Sequence, residues 1–85
     1  MDIFGTNKTI VGIQKTPGVC GGDACIANTR IPVWVLERAR QLGMSDADLL
    51  ENYPTLRAED LTNAWAYVRL HREEIEEEIR LNEED

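Results

Sequence analysis

Gly18-Val-Cys-Gly-Gly-Asp-Ala-Cys-Ile-Ala-Asn-Thr-Arg-Ile-Pro-Val-Trp-Val35 divides this chain into two kinds of structure. It begins as a glycine-rich loop and ends at the entrance to a helix. Gly18, Gly21 and Gly22 permit backbone angles that other residues resist. Asn28 is the non-glycine residue best suited to a left-handed turn position. Pro32 fixes its own φ and pushes Ile31 toward an extended shape, so a helix starts at Pro32 or just after it. The residues before the stretch read as strand and loop, and those after it read as helix. No known catalytic motif lies within it.

Upstream, residues 1–8 are polar and expected to be loosely held. Thr9 to Gln14 is rich in β-branched residues and predicts a short strand. Thr16-Pro17-Gly18 is a turn signal. Ala24 to Ile26 is a candidate second strand, able to pair with the first. A lone two-stranded ribbon is marginal in water, so it must lie on the helices or on a second copy of itself.

Downstream, the first helix is expected from Pro32 to Leu42. Val35, Leu36, Ala39 and Leu42 form its apolar stripe, and Gly43 ends it. Trp34 falls near Arg38 and Gln41, off that stripe, which makes it a candidate for covering by the ribbon or for partner binding. Ser45 opens a second helix, with Asp48 completing a capping-box-like pair. Leu49, Leu50 and Tyr53 face inward there, while Asp46, Asp48 and Glu51 point outward; Pro54 stops the helix. The third helix begins near Arg57 or Ala58. Its core face is Leu61, Ala64, Trp65 and Val68, and the stripe continues to Ile75 and Ile79. Residues 58–81 fit one long helix or two helices broken near His71. Ile75 and Ile79 make a narrow apolar seam in a very acidic segment, which suits a second chain or a grooved partner. Glu76 and Arg80 form a favourable pair on its flank. The terminal Asn82-Glu-Glu-Asp85 is expected to fray.

Eighty-five residues make one small domain, here 9–81 between the loose start and an acidic tail at 82–85. The 42% apolar fraction is ordinary for a globular chain. No apolar run approaches the ~18 residues a membrane span needs, and the start lacks the features of a signal peptide. A cytoplasmic protein is expected. The net charge of −7 is unevenly distributed. Residues 1–72 hold eight acidic side chains and eight Lys or Arg, whereas residues 73–85 hold eight acidic side chains and one Arg. So acidic a balance argues against bulk affinity for nucleic acid and for a solvated surface or a basic partner.

Cys20 and Cys25 are expected as small packed thiols, because disulfides are rare in cytoplasmic chains. With a single histidine and no second cysteine pair, an intrachain zinc site lacks ligands. No Ser-His-Asp set, Cys-His pair or phosphate loop followed by Lys is present, so an enzyme is not expected. Arg30 has two readings. Its guanidinium locks the loop by donating to loop carbonyls, the favoured one, or it contacts a phosphate or a partner carboxylate.

Gly22-Asp-Ala-Cys-Ile26 with Thr29-Arg-Ile-Pro-Val33 after it resembles the Gly-x-Pro-x-Ile-x-Gly-Thr-Arg-Ile-Pro-Val signature of the domain-of-unknown-function 433 family. Gly43-Met-Ser-Asp46, Tyr53-Pro-x-Leu56-x-x-Glu59-Asp-Leu61 and Ala64-Trp-Ala-Tyr67 resemble its later blocks, in order and spacing. The likeness covers residues 9–80. Ala24 departs from the usual proline, Asn28 from the usual glycine, and Arg57 from the usual capping residue. The resemblance implies a mainly α, homeodomain-like domain of three to four helices, a helix-turn-helix with a short N-terminal strand or hairpin. It also implies the antitoxin half of a toxin–antitoxin pair, whose partner is a PIN-type ribonuclease.

One function is expected first, with two alternatives behind it. The first is an antitoxin-type interaction module binding its toxin through Trp34, Ile75, Ile79 and Glu76, with a homodimer as its expected state. The second is DNA binding for autoregulation, with Arg57, Asn63 and Arg69 on the recognition helix. The third is a haem- or metal-binding dimer using His71 from each chain; otherwise no cofactor is expected.

Overall fold

A computed structural model describes residues 10–18 and 20–83, with the side chain of Cys20 left aside. The expectations for residues 1–8, for Thr9 and for the last two residues therefore lie outside the described set. The order is β1 (Ile13–Lys15), a 3-10 turn (Cys20–Gly22), β2 (Ala24–Ile26), α1 (Val33–Gln41), α2 (Asp46–Asn52), α3 (Ala58–Leu70) and α4 (Arg72–Glu83). The fold is mainly helical with a short antiparallel hairpin, as the sequence predicts.

The hairpin pairs Ile13 with Ile26, Gln14 with Cys25 and Lys15 with Ala24. It does not stand alone: all three residues of β2 are buried, and an isolated bridge joins Cys25 to Pro32 at the entrance to α1. Pro32 is extended, with φ −69° and ψ 144°, and the helix begins at Val33. Cys25 is disulfide-bonded, which corrects the expectation of a packed thiol. That expectation rested on cell compartment and not on geometry.

The first helix buries a stripe shifted from the one expected: Leu36 is in the core and Ala39 packs against it, as predicted. Val33, Leu36 and Glu37 are buried, while Leu42 is 68% exposed. The Cys25–Pro32 bridge ties the entrance of α1 to β2, and Val33, the next residue, is fully buried. Gly43, at φ +104°, then ends α1. Its N–H donates to Arg40 O at 3.0 Å, and the Met44 N–H donates to Ala39 O at 3.1 Å. These two bonds satisfy carbonyls that the helix end would otherwise leave open.

Ser45 and Asp48 cap α2 reciprocally. The Asp48 N–H donates to Ser45 Oγ at 3.1 Å and the Ser45 N–H to Asp48 Oδ2 at 3.0 Å. Leu49 is fully buried, and Leu50 and Tyr53 pack partly against the core. At the start of α3, Arg57 supplies no side-chain cap. Asp60 compensates, its Oδ2 accepting the Arg57 N–H at 2.9 Å.

Residues 58–83 form two helices. The break is His71, at φ −129° and ψ 43°, and it turns α4 back across α1 and α3. This overturns the expectation of an apolar seam for a partner. Ile75 is 0% and Ile79 5% exposed, both within the core built by Leu36, Leu61 and Val68. Burial of each isoleucine stabilises the fold by ~1.5–3 kcal/mol, so neither is free to meet a second chain. Among the described residues no helix is long and apolar enough to cross a membrane.

Candidate functional site

The folding back of α4 creates two polar clusters, one on each side of its buried ridge. On the α1 side the centre is Glu37, a carboxylate only 3% exposed. Arg40 donates to its Oε1 through Nε at 3.0 Å and Nη2 at 2.7 Å. Gln41 Nε2 reaches Oε2 at 3.0 Å, and Arg72 Nη1 reaches the same oxygen at 3.2 Å. A buried charge needs such company. The network extends outward, because Gln41 and Arg72 also donate to Glu76 at 3.2 and 3.3 Å. It extends inward too. The Arg40 guanidinium lies 4.0 Å over the Trp65 ring, and Trp65 Nε1 donates to the Asp46 carboxylate at 3.2 Å. Asp46 therefore does more than point outward as expected. It anchors α2 on α3.

On the hairpin side, Glu74 accepts from Tyr67 Oη at 2.8 Å and from Lys15 Nζ at 3.0 Å. His71 stacks on Tyr67 with ring centroids 4.1 Å apart, and its Nδ1 lies 3.4 Å from Glu74 Oε1. Burial, then the Glu74 and Glu78 carboxylates, push the Tyr67 hydroxyl well above the ordinary phenol range. One turn on, burial pushes Glu78 up to about 7, with the Asp23 and Glu74 charges adding to the effect and Lys15 opposing it. Elsewhere the Ser45 cap lowers Asp48 and the Arg80 hydrogen bond lowers Glu77.

The predicted site residues do not converge. Glu76 is in the α1–α4 network, Ile75 and Ile79 are in the core, and Trp34 is a half-buried side chain packed against that core. The nucleic-acid set is also split. Arg57 is exposed and pairs with Glu59 at 3.2 Å. Asn63 is held against Gly12, where an added Cβ would lie 2.7 Å from its Nδ2. Arg69 sits on the exposed end of α3. The expected polar and basic set is thus one exposed side chain, one exposed but ion-paired one, and one lying close against the turn before β1. His71 is tied into the Tyr67–Glu74 cluster and does not project as a free ligand. Among the described residues no group of three or more His, Cys, Asp or Glu side chains is placed to hold a metal ion.

Open features lie on the surface, and two of them border residues already described. One is a shallow groove of about 570 Å³ between α1 and α4, lined by Arg38, Gln41, Glu73, Glu76, Glu77 and Glu83 among others. The other is a cleft of about 580 Å³ beside the hairpin, which Arg30 borders. Sequence reasoning missed the Glu37 network. The available signal was a Glu-x-x-Arg-Gln run on a helix whose opposite face is strongly polar, which a charged-means-exposed rule passes over.

These features define a small helical domain whose hairpin and fourth helix close one core, with its polar sites on the rim. The chain belongs to a family of proteins of unknown function, DUF433, whose model matches residues 13–68. The crystal structure of a DUF433 member protein from Anabaena variabilis is similar to it, with 58% sequence identity and a TM-score of 0.80 over 81% of this chain and 68% of that one. Among curated proteins, none matches.

Proposed function

We propose that the domain is a protein-interaction module of the antitoxin kind, which binds and neutralises a PIN-type ribonuclease through the outer face of α4. One observation carries this reading. The chain's net charge of −7 equals that of residues 73–85 alone, and α4, whose isoleucines are taken up by the fold, carries most of those acids. Glu73, Glu76, Glu77 and Glu83 all border the α1–α4 groove, the last three paired there with Arg72, Arg80 and Arg38. A ribonuclease that handles a phosphate backbone needs an electropositive channel, and an acidic helix complements it and speeds encounter. The partner's identity as a PIN-type enzyme rests on the family likeness in the antitoxin reading and on this complementarity.

DNA binding draws less support. Its three candidate residues do not form one face, and Glu59 neutralises Arg57. A haem role for His71 draws less still, since that ring is stacked on Tyr67.

The test is co-purification with the product of the neighbouring reading frame, together with an RNA-cleavage assay. A complex that silences cleavage is expected. Glu73→Lys with Glu77→Lys weakens it ~10-fold or more at low salt, because close charge pairs across an interface couple by ~1.5 kcal/mol or more. A complex unaffected by both reversals overturns the acidic-face reading.

A further inference from the structure

The loop from Ile26 to Ile31 is fixed by backbone bonds, the Thr29 hydroxyl and a 3.4 Å bond from the Asn28 N–H to Gln14 Oε1. Thr29 N–H donates to Ile26 O at 3.0 Å, closing a turn with Asn28 at φ +64°. Ile26 N–H donates to Ile31 O at 3.0 Å, and Ala27 N–H to Gly12 O at 2.7 Å. Thr29 Oγ1 donates to Ile26 O at 2.7 Å and accepts the Ile31 N–H at 3.1 Å. The locking role expected of Arg30 is therefore performed by Thr29. Arg30 is exposed, and among the described residues no hydrogen bond or ion pair holds its guanidinium.

Arg30 borders the 580 Å³ cleft, together with Gln14, Thr16, Asn28, Ile31 and Thr55. Thr29 and Cys25 also line it, and among the described residues no carboxylate does. In a chain with sixteen acidic side chains, this is a place where a cation faces neutral hydroxyls and amides. The volume falls in the range of small-molecule sites. Ile31 offers an apolar wall, and the hydroxyls and amides offer hydrogen-bond donors. A guanidinium on a rigid loop presents its fork with little ordering cost.

We propose that this cleft is a binding site for a small organic oxyanion: the anionic group pairs with Arg30 and is flanked by Thr16, Asn28 and Thr55, and its apolar body lies against Ile31. The site is independent of the acidic face of α4 and lies on a different part of the fold. Phosphate and carboxylate share the oxyanion geometry that a guanidinium reads.

The test is an NMR titration of the full chain, labelled with ¹⁵N, with AMP, adenosine and benzoate in turn. The expected result is saturable amide shifts confined to Thr16, Asn28 to Ile31 and Thr55, with AMP, benzoate or both. Adenosine, which lacks the anion, produces none of them. A response to AMP alone assigns the site to phosphates, and a response to benzoate alone assigns it to carboxylates. Arg30→Gln, with the rest of the spectrum unchanged, weakens the response ~10-fold or more, the usual scale for a charge-assisted hydrogen bond. Arg69→Gln, a change at another exposed arginine, leaves it intact. Shifts that persist in Arg30→Gln, that spread over all the basic residues, or that fail to appear with either anion overturn the proposal.

Discussion

Glu37 and Arg30 carry opposite charges in opposite circumstances. Glu37 is buried on a helix and receives hydrogen bonds from Arg40, Gln41 and Arg72. Arg30 stands on a loop that its own backbone and Thr29 have already secured. The difference shows how this small domain handles charge. Where helices cross, charged groups are drawn into mutual contacts that join one helix to another. Where the loop closes without them, a charge is left facing solvent and available to a ligand.

The largest effect is expected on the interior side of this comparison. Ile75→Ala removes a fully buried side chain where α4 meets α1 and α3, and should cost ~2–5 kcal/mol in urea unfolding. Ser45→Ala removes one half of a reciprocal cap on exposed backbone and should cost ~1 kcal/mol by the same measurement. At the other end of the scale, Arg30→Gln should change stability by less than ~0.5 kcal/mol, as expected of an exposed side chain with no hydrogen bond or ion pair among the described residues. A large loss there would mean that Arg30 belongs to the structural class after all.

Glu78 sharpens the contrast through pH. Its pKa rises from 4.5 to about 7 in the folded chain, so folding favours the protonated form. The associated stability is complete below about 4.5 and is lost as pH rises through about 7. Glu78→Gln should therefore raise the melting temperature at pH 8 and leave it nearly unchanged at pH 4. The opposite order would place Glu78 in an environment that favours its charge. Asp48 and Glu77, both lowered, act in the other direction, and their contribution is lost only at more acidic pH.

The parts of the fold that sequence reading reached are those held by local chemistry. Ser45 and Asp48 cap one another three residues apart, Gly43 ends α1 in a left-handed conformation, and Leu61, Ala64, Trp65 and Val68 share a face by periodicity. Each depends on residues within about two helical turns. What it did not reach depends on contacts between distant segments. The entrance of α1 is tied to β2 through the Cys25–Pro32 bridge, and Asn63 lies close against Gly12 in the turn before β1. The direction of α4 after His71 is a tertiary outcome. A narrow isoleucine seam in an acidic helix reads the same whether the other surface is a partner or its own chain. For the candidate sites the lesson is similar. Arg30 stands out in the sequence, but its two roles separate only once Thr29 is seen to secure the loop.

The central claim is that α4 belongs to the domain's own core, with its acids outward and its isoleucines inward. Amide hydrogen exchange of the isolated chain tests this directly. Protection of the amides around Ile75 and Ile79 comparable to that of α3 around Ala64 and Val68 is the predicted result. Exchange in α4 at the rate of an unfolded segment, while α3 stays protected, would contradict it.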